Sequence, residues 1–127
     1  MMPMTAALVH KAEKALATAE RELAVTEEPN FDAVCYHAEK CAEFYLKARL
    51  MEKAIPFPES TRHLVVLLEL CLEPDTDWES FRAHLRSLTT LAFQADDPEF
   101  AIGYAAARGS LGLCRDFRAA ARERLGL

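Results

Sequence analysis

The stretch from Tyr36 to Leu50 contains the first side chains that could do chemistry. It reads YHAEKCAEFYLKARL and sets His37, Glu39 and Glu43 among apolar residues. Histidine and glutamate side chains bind metal ions and exchange protons. On a helix, however, His37 and Glu43 project toward different sides, because each residue turns the helix by about 100°. We therefore predict no metal site in this stretch, and no cofactor for the chain.

Three charged residues of the same stretch have the spacing of ion pairs on a helix surface. Glu43 precedes Lys47 by four residues, and Lys40 precedes Glu43 by three. Pairs at these spacings are neighbours on an exposed helix and contribute about 0.2–0.5 kcal/mol each. We therefore interpret Glu43 and Lys47 as a solvated edge of a packed helix. The alternative is that these charges bind a partner or a ligand.

No other residue set has the signature of a catalytic centre. The serines lie in no nucleophile context, and the segment ARGSLGLC lacks the lysine and the preceding strand of a phosphate-binding loop. The cysteines have no C-x-x-C spacing, which disfavours zinc. They are Cys35, Cys41, Cys71 and Cys114. We predict buried free thiols in a reducing compartment and no catalytic residue.

Two features are suited to anion binding. His63, in ESTRHLVVLL, lies in the first turn of a predicted helix. In the last predicted helix, four arginines fall within about 80° of one another at helical spacing. They are Arg108, Arg115, Arg118 and Arg122. Arginine suits phosphate and carboxylate recognition, so these five residues are our candidates for a nucleotide or phosphate site. A charged stripe opposite an apolar face is also typical of plain solvent-facing helix surface.

Composition limits the class of protein. The length of 127 residues, with 51% hydrophobic and 28% charged residues, predicts one folded domain spanning 1–127. The net charge of −5 disfavours non-specific binding to nucleic acid, so we predict no DNA partner, although a local basic patch is compatible with it. No apolar run approaches the roughly 18 residues that cross a bilayer. The N-terminal stretch lacks the segments of a signal peptide, so we predict a cytoplasmic protein without a membrane partner.

Helix-breaking residues divide the chain into five predicted helices. We place them at about 5–25, 31–53, 61–73, 78–94 and 98–125. The expected N-caps include Thr5, Asn30 and Asp97. The second helix is apolar on more than one face, which is typical of a central helix. Because no strand pattern is present, the predicted fold class is all-α, a single antiparallel up-and-down helical bundle.

The order of these features resembles HEPN domains (higher eukaryotes and prokaryotes nucleotide-binding). The second helix of that family typically reads fhaqQaaEKalKall, and YHAEKCAEFYLKARL is similar to it around Glu43 and Lys47. A proline-containing loop and a tHdL..Ll pattern follow in the family, and here the chain has PFPESTRHLVVLL with His63. The terminal segment CRDFRAAARERLGL resembles the long arginine-bearing helix that ends the family. The resemblance covers most of the chain.

Departures from the family pattern bear on activity. Ribonuclease members use an Arg-x4-6-His motif, and no histidine of this chain has an arginine at that spacing before it. The Arg-Tyr-Pro element before the last helix is absent, since the chain has LTTLAFQADDPEF there. The lysine that usually follows the glutamate of helix two is replaced by Phe44. These departures predict a module without ribonuclease catalysis.

The resemblance also implies partners. Family members are often homodimers, and many are encoded beside a minimal nucleotidyltransferase as one half of a toxin–antitoxin-like pair. We therefore predict a non-catalytic homodimeric module that binds a nucleotidyltransferase partner or a nucleotide, with Phe44 and Lys47 as the candidate dimer or partner surface. The alternative is a divergent ribonuclease toxin acting on RNA, with His63 as its acid or base.

Overall fold

The computed structural model describes residues 1–127 and contains five α-helices and no strand. They are α1 (Pro3–Leu23), α2 (Phe31–Glu52), α3 (Leu64–Cys71), α4 (Arg82–Ala95) and α5 (Tyr104–Arg124), with a 3-10 helix at Thr76–Phe81 directly before α4. The predicted all-α helical bundle is confirmed.

α2 is the centre of the bundle. It contacts α1, α3, α4 and α5, and its apolar side chains are buried over a wide arc of the helix, outside which Tyr36 and Phe44 are partly exposed. Val34 and Leu46 are both fully buried, although they lie about 120° apart around the helix axis. A helix with so broad an apolar surface must have neighbours on several sides. The width of its apolar surface therefore explains why the other helices surround α2.

Of the three predicted N-caps, Asn30 is confirmed, whereas Thr5 and Asp97 do not cap a helix. Asn30 caps α2, because its Oδ1 accepts a hydrogen bond from the amide of Ala33 at 3.1 Å. α1 begins at Pro3 instead of after Thr5, since proline suits the first helical position and Thr5 is buried inside the first turn. The predicted N-cap at Asp97 is wrong. Asp97 Oδ1 accepts from the amide of Glu99 at 2.9 Å and closes a local turn, and α5 starts seven residues later at Tyr104.

An aromatic cluster joins the 3-10 helix to α5. Trp78 is 1% exposed, and its ring meets the ring of Phe117 edge to face at 5.1 Å between centroids. The ring of Phe81 meets Phe117 from another direction at 5.5 Å. Edge-to-face pairs add about 0.5–1.5 kcal/mol beyond the burial of the rings. The cluster therefore fixes the start of α4 against the middle of α5.

A buried carboxylate links α2 to the other end of α5. Asp75 is fully buried and accepts two hydrogen bonds from Arg49, from Nε at 2.7 Å and from Nη2 at 2.9 Å. Arg124 Nη1 donates to the same carboxylate at 3.0 Å, while Arg49 Nη1 donates to the carbonyl of Arg124. A buried charge is tolerated only when partners replace its water, and two guanidinium groups do so here.

Replacing Asp75 with asparagine tests this network. Asp75→Asn keeps the side-chain shape but leaves the guanidinium of Arg49 buried without a counter-charge. We expect the free energy of unfolding in urea to fall by about 3–5 kcal/mol, as for other broken buried pairs. The control is Asp77→Asn, which removes an exposed carboxylate that also pairs with Arg124, and it should cost less than about 1 kcal/mol. Equal stability of the two variants would contradict the central role of Asp75.

Candidate functional site

Glu43 and Lys47 of α2 are buried, which overturns the prediction that they form a solvated edge. Glu43 is 2% and Lys47 is 7% exposed. Lys47 Nζ donates to Glu43 Oε2 at 2.9 Å and to the carbonyl of Glu59 at 2.9 Å, and Lys40 Nζ reaches the other carboxylate oxygen of Glu43 at 3.3 Å. The segment between α2 and α3 folds over this pair. Lys47 is therefore covered by its own chain. Of the two residues predicted for the partner surface, only Phe44 keeps part of its side chain exposed.

The arginine stripe of α5 lies against α1. Arg118 donates to both carboxylate oxygens of Glu13, at 2.8 Å from Nε and 2.6 Å from Nη2. This guanidinium lowers the pKa of Glu13 despite its partial burial. Arg122 Nη1 donates to the hydroxyl of Tyr45 at 3.1 Å, and that hydroxyl donates to Glu13 at 2.6 Å. Burial raises the pKa of Tyr45 to about 12, so its proton stays in place to hold this junction together.

The first two arginines of the stripe, Arg108 and Arg115, are more exposed than Arg118 and Arg122. Arg115 Nη2 donates to Glu20 at 2.8 Å across the surface of the α1–α5 contact. Arg108 is exposed and forms no ion pair. The geometry thus gives Arg115, Arg118 and Arg122 a structural role in holding α5 on α1. Their predicted role in phosphate binding stays a prediction.

His63 lies in a different place, beside a cavity of about 600 Å³ between α2, the start of α3 and the end of α4. The side chains around it are mostly polar, and none of the four α5 arginines is among them. The lining residues are Glu39, Pro58, Ser60, Thr61, Arg62, His63, Thr89, Ala92, Phe93 and Asp96. The structure therefore separates His63 from the arginine stripe with which the sequence grouped it.

The start of α3 forms one wall of this cavity. His63 occupies the N-cap position, and no side chain caps the helix there. The first amide groups of a helix have no intrahelical acceptors and carry a partial positive charge. Arg62 precedes them with an exposed guanidinium, and Ser60 and Thr61 supply hydroxyl groups. This wall therefore presents hydrogen-bond donors and positive charge.

The remaining lining of the cavity includes an unusual acid and an exposed ring. Glu39 is 5% exposed, and burial raises its pKa to about 7, although the nearby Arg62 acts in the other direction. Arg62 Nη2 lies 3.4 Å from Glu39 Oε1. Phe93 is 77% exposed at the rim. A carboxyl that titrates near neutrality in a polar cavity marks a functional-site candidate.

Sequence reasoning considered Glu39 only as a metal ligand and missed Arg62 and Phe93. Arg62 is next to His63, so it could have been included by proximity along the chain. Glu39 gave no such signal, because its burial depends on the loop before α3 and on the end of α4. Phe93 has an apolar side chain, but its spacing on α4 places it off the face that Leu85, Leu88 and Ala92 share, so the helical pattern could have indicated its exposure.

Three further features of the chain bear on its chemistry. All four cysteines are free and buried. No group of three or more histidine, cysteine, aspartate or glutamate side chains is placed to hold a metal ion. None of the helices combines the length and apolar character that a bilayer crossing needs.

The burial of Glu39 predicts a specific pH dependence of stability. Its pKa is about 7 in the folded chain and 4.5 ordinarily, so its contribution to stability is present below 4.5 and is lost as pH rises through 7. Between pH 5 and pH 8, Glu39→Gln should gain about 2 kcal/mol in unfolding free energy relative to the unmodified chain, at 1.36 kcal/mol per pKa unit. Urea unfolding at both pH values measures this change.

A second glutamine substitution controls for the loss of charge. Glu123 is exposed and forms no ion pair, so Glu123→Gln removes the same charge without affecting the cavity. A stability difference for Glu39→Gln that stays constant from pH 5 to pH 8 would show that Glu39 is solvated.

One protein family matches almost the whole length of the chain. The HEPN domain model matches residues 5–124, which include all five helices except the first two residues of α1. Comparisons with curated proteins and with solved structures give no significant match. The match extends from the first turn of α1 to the last residue of α5 and so includes both the His63 cavity and the arginine stripe. The chain belongs to the HEPN domain family.

Proposed function

We propose that this HEPN domain is a non-catalytic, homodimeric module that binds a nucleotide in the His63 cavity. The observation that carries the proposal is the uncapped start of α3 beside Arg62 and His63. A helix N-terminus with a neighbouring guanidinium is a favourable place for a phosphate group. The volume of about 600 Å³ lies within the roughly 300–1,000 Å³ of small-molecule sites.

The rest of the cavity suits the other parts of a nucleotide. Phe93 is exposed at the rim and offers an aromatic face on which a base can stack. The carboxylate of Asp96 and the hydroxyl of Thr89 can bond to ribose hydroxyls or to a base edge. Glu39 opposes a bound phosphate when it is ionised, but its pKa near 7 and the contact with Arg62 reduce this repulsion at neutral pH. The positive charge of Arg62 and of the α3 N-terminus therefore outweighs the repulsion from Glu39, which favours an anion at the α3 end of the cavity.

A ribonuclease is the second candidate function, and one observation favours it. Glu39 and His63 line the same cavity, and a carboxyl that titrates near neutrality can transfer protons at physiological pH. Against it stands the absence of the Arg-x4-6-His motif. RNA that is cleaved by the purified chain but not by His63→Ala would replace our proposal with this one.

Family membership supports the proposed assembly. HEPN domains often form homodimers, and a minimal nucleotidyltransferase is the partner that we propose for a toxin–antitoxin-like pair. The surface around the start of α5 is suited to self-association, since the rings of Phe100 and Tyr104 are 45% and 53% exposed there. Exposed aromatic residues are enriched where proteins associate. Phe44, which the sequence suggested for this role, is half-buried between α1 and α2.

Calorimetry tests nucleotide binding. Titration of ATP, GTP and their monophosphates should give heat at submillimolar ligand. Arg62→Ala should weaken binding by tenfold or more, because losing a charge-assisted hydrogen bond costs about 1.5–3 kcal/mol. Arg108→Ala is the matched control: it removes an exposed arginine outside the cavity and should have no effect. Absence of heat at millimolar ligand would refute the proposed site, and a larger effect of Arg108→Ala would return the site to the arginine stripe.

Light scattering after size exclusion tests the dimer. The chain has a mass of 14.2 kDa, so a dimer at micromolar concentration elutes with twice that mass. Phe100→Ala combined with Tyr104→Ala should lower the dimer fraction, whereas Phe44→Ala should not. A monomer at all micromolar concentrations contradicts the assembly, and loss of the dimer in Phe44→Ala alone would place the interface on α2.

A further inference from the structure

The two edges of α1 carry opposite charge. At about 100° per residue, Glu13 and Glu20 lie on the edge that meets the α5 arginines. The other edge carries Lys11, Lys14 and Arg21, all of them exposed. None of these three cations forms an ion pair. In a chain with a net charge of −5, this edge is therefore a local excess of free positive charge.

The basic edge borders a groove that the nucleotide cavity does not include. This groove has a volume of about 320 Å³ and lies between α1 and α2. We call it the α1–α2 groove. Its main side chains are Lys11, Lys14, Tyr36, His37, Lys40 and Phe44. Five of the six are lysine, tyrosine or phenylalanine residues that the arginine stripe and the His63 cavity leave without a role, and no carboxylate lines the groove.

Cations and aromatic rings alternate along the groove. The centroid of the Phe44 ring lies 5.9 Å from Lys11 Nζ and 5.8 Å from Lys40 Nζ. The centroid of the Tyr36 ring lies 5.9 Å from Lys40 Nζ and 5.5 Å from the guanidinium of Arg62. Each ring therefore has two positive charges close to it. The series runs along α2 from Phe44 to Tyr36 and reaches Arg62 at its end.

The nearby carboxylates do not cancel this charge. Glu43 is buried and shared between Lys40 and Lys47, so those three residues together keep a positive charge. Glu39 is buried beside Arg62. Glu22 lies near His37 at the end of the groove and offsets part of the charge there, since the amide of Asn30 that donates to it at 3.2 Å is neutral. Lys11 and Lys14 have no such neighbours and are free for an external anion.

We propose that the α1–α2 groove binds single-stranded nucleic acid. Lys11, Lys14 and Lys40 contact consecutive phosphates, and unpaired bases stack on the rings of Tyr36 and Phe44. A charged groove with interleaved aromatic side chains is the arrangement that recognises single strands, because each unpaired base offers a face for stacking. A duplex would bring phosphates to the lysines but would keep its bases away from the rings. An acidic peptide would satisfy the lysines only.

Fluorescence anisotropy with a labelled single-stranded oligonucleotide tests the groove in the full chain. Lys11→Ala combined with Lys14→Ala should raise the Kd about tenfold at low salt. It should also reduce the slope of log Kd against log salt by about 1.4, because each phosphate contact on a single strand contributes about 0.7. The matched control is Arg86→Ala combined with Arg108→Ala, which removes two exposed cations elsewhere and should leave both quantities unchanged.

Two substitutions of Tyr36 test the stacking. Tyr36→Ala should raise the Kd at least fivefold, whereas Tyr36→Phe should keep it near the value of the unmodified chain, since stacking contributes about 1–3 kcal/mol per base. RNA and DNA strands of equal sequence both supply phosphates and unpaired bases, so binding of either supports the groove. Heat-unfolding curves of the variants confirm that they are folded.

Three outcomes would overturn the inference. The first is no anisotropy change up to about 100 µM protein, where even weak non-specific binding is measurable. The second is equal weakening of binding by the two double variants. The third is competition by poly-glutamate together with unchanged binding by Tyr36→Ala. The last result would assign the groove to an acidic protein partner. Because Lys11 and Lys14 do not line the His63 cavity, their substitution should leave nucleotide calorimetry unchanged, and the two proposals can fail separately.

Discussion

Asp75 has no contact with water, and its charge can exist there only because two guanidinium groups replace the solvent. Arg49 brings α2 to this point and Arg124 brings the end of α5, while Asp75 itself lies in the turn before the 3-10 helix. Taking two charges out of water costs several kcal/mol per ion, so the network is favourable only if all three elements are correctly placed. The position of α4 follows, because Trp78 and Phe81 continue directly from Asp75 into the contact with Phe117.

The same requirement explains how charge is distributed in the rest of the bundle. The arginines of α5 face α1, where Glu13 and Glu20 form ion pairs with them. Arg118 and Glu13 are each about one-third exposed, so their pair contributes to orientation more than to stability. Once these carboxylates face α5, the lysines of α1 are left on the opposite edge. The free positive charge of the α1–α2 groove is therefore a consequence of how the arginine stripe is neutralised.

The two candidate sites meet at one residue. Arg62 lies against Glu39 in the His63 cavity and over the ring of Tyr36 at the end of the α1–α2 groove. A ligand in either place would alter the position of this guanidinium, which is half-exposed and held by only one long hydrogen bond. Coupling through Arg62 would link the proposed nucleotide site to the proposed nucleic-acid groove.

The sequence by itself determined the helices, the central position of α2 and the family. Apolar periodicity and capping residues act over a few residues, so Asn30 and the broad apolar surface of α2 could be interpreted without tertiary information. The environment of each charge was decided by the tertiary structure. Glu43 and Lys47 have the spacing of an exposed pair, yet the loop before α3 buries them. The α5 arginines form the predicted stripe, but α1 supplies carboxylates from about a hundred residues away. Burial and counter-charges depend on which distant segments meet, and no local pattern contains that information.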